Sequence, residues 1–181
     1  DAGARIVNDV SAMTHDPEMA ATAAGAEGLV LMHALGDPRT MQDAPAYDDV
    51  LLDIHDFLEA RIAAAEAAGI PRARIVADPG IGFGKTLDHN VRLIARLSLY
   101  HGLGCPVLLG ASRKRFIGRL SGVAEAGERV AGSVAAALAG AAEGAQILRV
   151  HDVAETRQAL AVWQGIRAGA GWQAAGTGER A

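Results

Sequence analysis

Five times along this chain a short aliphatic run ends on a polar residue and is followed by an alanine-rich stretch with helical spacing, and this repeat narrows the available folds more than any other feature. The runs are residues 5–10 (RIVNDV), 28–33 (GLVLMH), 74–78 (RIVAD), 106–110 (PVLLG) and 146–151 (QILRVH). Each is too short and too apolar for anything but a strand buried on both faces. The intervening patterns, at about residues 17–24, 50–68, 87–100, 129–142 and 153–168, predict helices. Strict βα alternation predicts a parallel sheet joined by right-handed crossovers, hence an α/β class.

Two architectures satisfy that alternation: an open doubly wound sheet and a closed barrel. No Gly-x-Gly-x-x-Gly turn follows the first strand to favour the open sheet. The polar strand ends favour the barrel. Asn8 and Asp9, His33, Asp78, the Ser112-Arg113-Lys114 group, and Arg149 with His151 and Asp152 all stand where strands finish, so every unit contributes to one face. Five units are fewer than the eight of a (β/α)8 barrel, and the chain opens on Asp1-Ala2-Gly3-Ala4 rather than on methionine. The expectation is a partial TIM barrel over residues 1–168, comprising the last five βα units, with three units upstream. Such a sheet would expose two edges and its inner wall. Residues 169–181, rich in Gly, Ala and Thr without periodicity, are expected to be disordered.

Composition excludes several function classes. The net charge of -4, with no Lys/Arg block, argues against nucleic acid as a partner. One cysteine, Cys105, can build neither a disulfide framework nor a zinc cluster, and it reads as a buried thiol in a reducing compartment. No apolar run reaches the ~18 residues of a membrane span and no signal-like segment opens the chain, so the expected location is the cytoplasm.

Three segments could carry chemistry. Residues 78–85 (DPGIGFGK) place three glycines and a proline directly after a strand, so the backbone turns sharply and something approaches it closely. Asp78 at its entrance either accepts hydrogen bonds from the guanidine-like edge of a flat heterocycle or caps the loop. Phe83 either stacks on that ring or pins the loop, and Lys85 lacks the spacing of a phosphate-loop lysine. In residues 110–118 (GASRKRFIG) three cations crowd a strand end and repel one another unless an acidic ligand compensates them. Extended geometry would put Ser112 and Lys114 on one face and Arg113 on the other; alternatively the run is a solvated helix start. Arg149 and His151, two apart on the last strand, form an anion clamp suited to a diphosphate, unless Arg149 pairs with Asp152 or Asp9. Asn8 can both donate to and accept from a heterocycle edge, or serve as a turn residue, and His15 and His33 read as structural.

Together with Leu31-Met32-His33, residues 38–42 (PRTMQ) and Phe116-Ile117-Gly118, these phrases resemble the dihydropteroate synthase family along nearly the whole chain. The resemblance implies a folate-pathway transferase that joins (7,8-dihydropterin-6-yl)methyl diphosphate to p-aminobenzoate with loss of diphosphate. It implies that Asn8, Asp78 and Lys114 hold the pterin, and that Met32, Phe83 and Gly110 line its slot. Arg149, Val150 and His151 would meet the diphosphate. The helix beginning around Arg113 to Arg115 would meet the aminobenzoate carboxylate, and Ser112 is also among the expected substrate-binding residues. Lys114, Arg149 and His151 are the expected catalytic residues, and no nucleophilic side chain is needed. Magnesium is the implied cofactor, with its ligand outside this chain, and a homodimer is the implied assembly. Arg115, where some relatives carry serine, and the Ala34-Leu35 pair after His33 depart from the family pattern. On this view the chain alone is catalytically incomplete. Two other readings are a pterin-dependent methyltransferase, which would have no diphosphate to expel, and a non-catalytic pterin-binding or oligomerising fragment.

Overall fold

A computed structural model describes residues 3–36, 40–41 and 43–169. Residues 38, 39 and 42 of the PRTMQ phrase lie outside the described residues, as does the expected disordered tail beyond Gly169. The described strands are β1 (Ile6–Asp9), β2 (Gly28–Met32), β3 (Ile75–Asp78), β4 (Leu108–Leu109) and β5 (Ile147–Leu148). The described helices are α1 (Met19–Ala24), α2 (Val50–Ala67), α3 (Leu87–Ala95), α4 (Arg115–Ser121), α5 (Val130–Ala142) and α6 (Val153–Ala168). All strand pairs are parallel, in the order β1-β2-β3 and β4-β5, and a parallel bridge between Ala77 and Val107 joins the two groups. Spatial order therefore follows chain order without reversal. A doubly wound sheet reverses its order at a switch point, whereas a barrel wall does not. The molecule is a partial (β/α) barrel.

Register sets where the polar residues go. Asn8 pairs with Val30 and Met32 pairs with Asp78, so β1, β2 and β3 finish at one level and deliver their last residues to a common mouth. On the outside, α2 buries Val50, Ile54, Leu58, Ile62 and Ala65, a stripe at helical spacing packed on the sheet. Its start is fixed by Asp49, whose carboxylate accepts the Leu51 and Leu52 N–H groups at 2.8 and 3.3 Å. Tyr100 is wholly buried in the same core and its hydroxyl donates to the Leu51 carbonyl at 3.1 Å.

Four expectations need correction. The helix predicted over residues 87–100 ends at Ala95 and gives way to a 3-10 turn (Leu97–Leu103) stopped by left-handed Gly104. A turn and helix α4 replace the extended geometry expected through residues 112–114 and follow the alternative of a helix start, which seven residues are too few to announce by period. The strands predicted at 106–110 and 146–151 shrink to two residues each. The Val107 N–H is taken by the Gln146 side chain at 2.8 Å, and the chain beyond Leu109 turns toward the mouth. Finally, β1 and β5 are not buried on both faces. Ile6 is 64% exposed and Ile147 38% exposed, because these two strands are the outer members of the wall.

Helix α5 approaches the sheet on small residues, Ser133, Ala136, Ala137 and Gly140. A methyl at Gly140 would lie 2.1 Å from Cδ2 of Leu109, itself fully buried in β4. Glycine is therefore required by contact and not by backbone angle. Gly140→Ala gains about 1 kcal/mol of helix propensity but overpacks the core by about 1–3 kcal/mol. The variant is expected to unfold at lower urea concentration than the parent with an unchanged m-value. An increase in the midpoint would show that the helix does not rest on Leu109.

Candidate functional site at the strand ends

The centre of the mouth is a buried carboxylate. Asp78, at the end of β3, is 0% exposed, and its two oxygens are fully engaged: Oδ1 accepts the Gly80 N–H at 2.8 Å and Oδ2 accepts Nη2 of Arg149 at 2.7 Å. Nη1 of Arg149 donates to Oδ1 of Asn8 at 3.0 Å. One guanidinium thus ties the end of β5 to those of β3 and β1. Burial pushes the Asp78 carboxyl up, while Arg149, the Gly80 N–H and Lys85 pull it back. Its partners are all donors, which marks it as a carboxylate. The guanidinium reaches Asp78 across β4 only because residue 110 is glycine, since a methyl there would sit 2.6 Å from Nη2 of Arg149. Arg149 therefore pairs with Asp78 and Asn8, not with Asp152 or Asp9, the partners weighed in the sequence. Asp9 is used instead within its own turn, accepting from Ser11 and Met13.

The glycine-rich segment after β3 folds over this centre. Gly80 has φ +70°, and a methyl on it would fall 1.8 Å from the His33 carbonyl oxygen, so only glycine fits. Met32 is fully buried beneath it and does not face open space. The loop is strung on buried polar groups: Asn90 accepts the Gly82 N–H at 2.7 Å and donates to the Thr86 carbonyl, and Lys85 donates to the Phe83 carbonyl at 2.9 Å. Phe83 is held under Lys114, whose Nζ stands 4.1 Å from the ring centroid. Burial, then the charge of Arg149, lowers the Lys114 pKa, and Asp78 opposes both.

The loop after β4 separates its cations, though not in the expected way. Arg113 has φ 58°, so the segment is not extended. That left-handed residue is held by its N–H donating to Ser133 at 2.8 Å and by Arg129 donating to its carbonyl at 2.9 Å. The Arg113 guanidinium then makes two contacts with Asp152, at 3.1 and 2.5 Å, which holds the Asp152 carboxyl below its usual range. Ser112 turns inward, 3.0 Å from Nδ1 of His151, and also accepts the His151 N–H at 3.2 Å. Val150 between the clamp residues is half-buried, and Arg115 is exposed at the start of α4. Arg113, Lys114, Arg115, Arg119 and Arg129 line an open cleft of ≈ 610 Å³ that meets the mouth at Lys114 and Gly82.

Lys85 and His33, set aside in the sequence, lie at the centre of the site. Lys85 is 4% exposed, and its Nζ is 2.9 Å from Nδ1 of His33. With Lys85 charged, its Nζ donates to Nδ1 and His33 is the neutral Nε2–H tautomer; with Lys85 neutral, either ring tautomer can make the contact. Burial, then the Lys85 charge, takes the His33 pKa down to about 3. Asn90 and Arg129 gave no sequence signal, since nothing local distinguishes a helical Asn or an Arg before a helix from a solvated one. Among the described residues, the set with metal-ligand spacing is His55, Asp56 and Glu59, on α2 rather than at the strand ends.

The chain is similar to known proteins over most of its length. The sequence is 44% identical over 160 residues to dihydropteroate synthase of Escherichia coli strain K12, covering 88% of this chain and 56% of that protein. It superposes on Xanthomonas albilineans dihydropteroate synthase with 4-aminobenzoic acid at a TM-score of 0.85 and 50% identity, covering 92% of this chain and 59% of that one. The Thermus thermophilus dihydropteroate synthase in complex with 6HMPPP gives a TM-score of 0.85 and 47% identity, covering 91% of this chain and 65% of that one. The chain thus spans less than two thirds of the length of each of these relatives. The family model described as pterin binding enzyme matches residues 1–151, and with five parallel strands delivering Asn8, Asp78 and Arg149 to one mouth, the chain belongs to the pterin-binding enzyme family.

Proposed function

We propose that this chain forms the pterin and diphosphate wall of a dihydropteroate synthase, a transferase of folate biosynthesis. The whole enzyme would condense (7,8-dihydropterin-6-yl)methyl diphosphate with p-aminobenzoate, releasing diphosphate. The observation that carries the reading is the Asn8–Arg149–Asp78 cluster, because its guanidinium occupies the place where a guanidine-like heterocycle edge would be recognised. Asp78 and Asn8 would take the pterin edge, with Lys114 and Phe83 along the ring and Gly110 giving it room. Arg149 would turn to the diphosphate beside His151, whose ring is oriented by Ser112. In the bond change, the methylene C–O bond breaks toward diphosphate, the aniline nitrogen forms the new C–N bond, and that nitrogen loses a proton. Cations fixed around the leaving group favour the first event without a nucleophile. The aminobenzoate carboxylate would sit in the basic cleft at Arg115 and its neighbours. A pterin-dependent methyl transfer would use neither the Arg149–His151 clamp nor that cleft.

Magnesium does not fit the oxygen ligands of this mouth. Asp78 is paired with Arg149 and Gly80, Asp9 with its own turn, and Asp152 with Arg113. A homodimer is supported by an apolar groove of ≈ 430 Å³ between α3, α4 and α5, beside which Leu120 is 62% exposed. A cytoplasmic location is supported by the buried, unpaired thiol of Cys105; among the described residues no helix is long and apolar enough to cross a membrane.

Calorimetric titration of the chain with dihydropterin methyl diphosphate tests the reading directly. Lys114→Ala and Arg149→Ala are each expected to weaken binding by roughly 2–5 kcal/mol, since each leaves a ligand charge unmatched. Unchanged affinity in both would remove the assignment. Asp78→Asn separates the two halves of the ligand. Binding of 6-hydroxymethylpterin should weaken by about 1–3 kcal/mol, while inorganic diphosphate should bind at least as tightly as before, because Arg149 has been released. Parallel loss of both ligands would show instead that Asp78 only maintains the fold.

A further inference from the structure

Lys85 is a buried side chain that the proposed reaction leaves idle. Its Nζ donates to the Phe83 carbonyl at 2.9 Å and stands 2.9 Å from Nδ1 of His33. The stem therefore runs from the loop after β3 back to the residue just after β2. His33 is itself fixed before Lys85 reaches it. Its backbone N–H donates to the Asp78 carbonyl at 3.0 Å, and its buried ring meets Phe57 of α2 edge-on, with centroids 4.9 Å apart and planes at 86°. Tyr47 packs against the other part of the same ring, at 5.9 Å between centroids.

Phe83 needs such an anchor. It stands between Gly82 at φ +82° and Gly84 at φ +65°, and two flanking glycines leave its position unfixed by local stereochemistry. Tethers must supply what the backbone does not. Asn90 accepts the Gly82 N–H at 2.7 Å, and the Tyr47 hydroxyl donates to the Gly84 carbonyl at 2.8 Å. Between them, Lys85 holds the carbonyl of Phe83 itself. The half-buried Phe83 ring in turn carries Nζ of Lys114, 4.1 Å from its centroid. We propose that Lys85, held by His33, is a positioning residue that sets where the Phe83 ring stands and, through that ring, where Lys114 stands, so that pterin affinity depends on a side chain that does not touch the ligand. The effect on ligand binding rests on the functional reading above, but the tether does not.

Calorimetry of the whole chain with 6-hydroxymethylpterin, arranged as a double-mutant cycle, tests this. Lys85→Met keeps most of the stem and removes the donor, and it is expected to weaken binding about tenfold. In a Phe83→Ala background the same substitution should cost less than about twofold, because the ring that it positions is gone. His33→Leu should reproduce the loss, whereas His33→Asn, which keeps an acceptor where Nδ1 stood, should retain most of the affinity. The two His33 variants leave Lys85 in place and decide the matter should the methionine variant fail to fold. Undiminished affinity in Lys85→Met, a loss of equal size with and without the Phe83 ring, or an equal loss in the two His33 variants overturns the proposal. Without ligand, the tether is read from the NMR shifts of the Lys114 methylene protons, which the ring current of Phe83 displaces upfield. Both Phe83→Ala and Lys85→Met should move them toward their unfolded values, and wild-type shifts in Lys85→Met would overturn the tether. Failure of the wild type to bind 6-hydroxymethylpterin at all would instead remove the functional reading, with the ligand-free shifts still deciding whether Lys85 places Phe83.

Discussion

The ion pair between Asp78 and Arg149 is the contact on which the rest of the mouth depends. A carboxylate with no solvent exposure is stable as an anion only when its oxygens are occupied and a cation stands close. Here the Gly80 N–H and the Arg149 guanidinium supply those partners, and each imposes a condition on the chain. The first requires a left-handed glycine pressed against the His33 carbonyl, and the second requires that residue 110 have no side chain. Backbone shape in two loops thus follows from the demands of one carboxyl group.

The same logic explains how three adjacent cations after β4 coexist. Arg113, Lys114 and Arg115 would repel strongly if they shared a face. The left-handed backbone at Arg113 turns them apart: one to Asp152, one over the Phe83 ring, one to the exposed start of α4. Ser133 and Arg129 enforce that bend from the following helix, so the packing of α5 on the sheet also sets the electrostatics of the cleft.

Much of this was legible in the sequence, and the limits were physical. The βα alternation and the polar strand ends gave the barrel wall, because buried parallel strands leave a composition signal and a shared mouth leaves a positional one. Asp78, Arg149 and Lys114 stood out since charge at the end of an aliphatic run has few structural uses. What could not be read was partner choice. Arg149 pairing with Asp78 instead of Asp152 depends on the 71-residue separation closed by the fold. Lys85 read only as a lysine without phosphate-loop spacing, and nothing within the loop shows that it points inward to His33, just after β2. The 3-10 break after Ala95 was missed because it is too short to carry a period, and α4 stood only as an alternative for the same reason.

Two charge environments therefore meet at Lys114. On one side is the mouth, where a buried carboxylate is paired with a partly exposed guanidinium at the strand ends. On the other is a cleft lined by arginines and open to solvent, where positive charge is in excess. The boundary between them is narrow, because the Lys114 stem packs within 3.1 Å of where a Cβ on Gly82 would lie, while its ammonium caps Phe83. A neutral heterocycle suits the first environment and small anions suit the second. For the reaction proposed above, a substrate joining a flat ring to a diphosphate, attacked by an amine that carries a carboxylate, would need both kinds within one molecule's length. That complementarity comes from where the charges stand and not from their number, since the chain as a whole is acidic, with a net charge of -4. The adjacent cations of residues 113–115 are joined in the cleft by Arg119 and Arg129 through the fold, which is why bulk composition excluded a nucleic-acid partner while leaving anion recognition open.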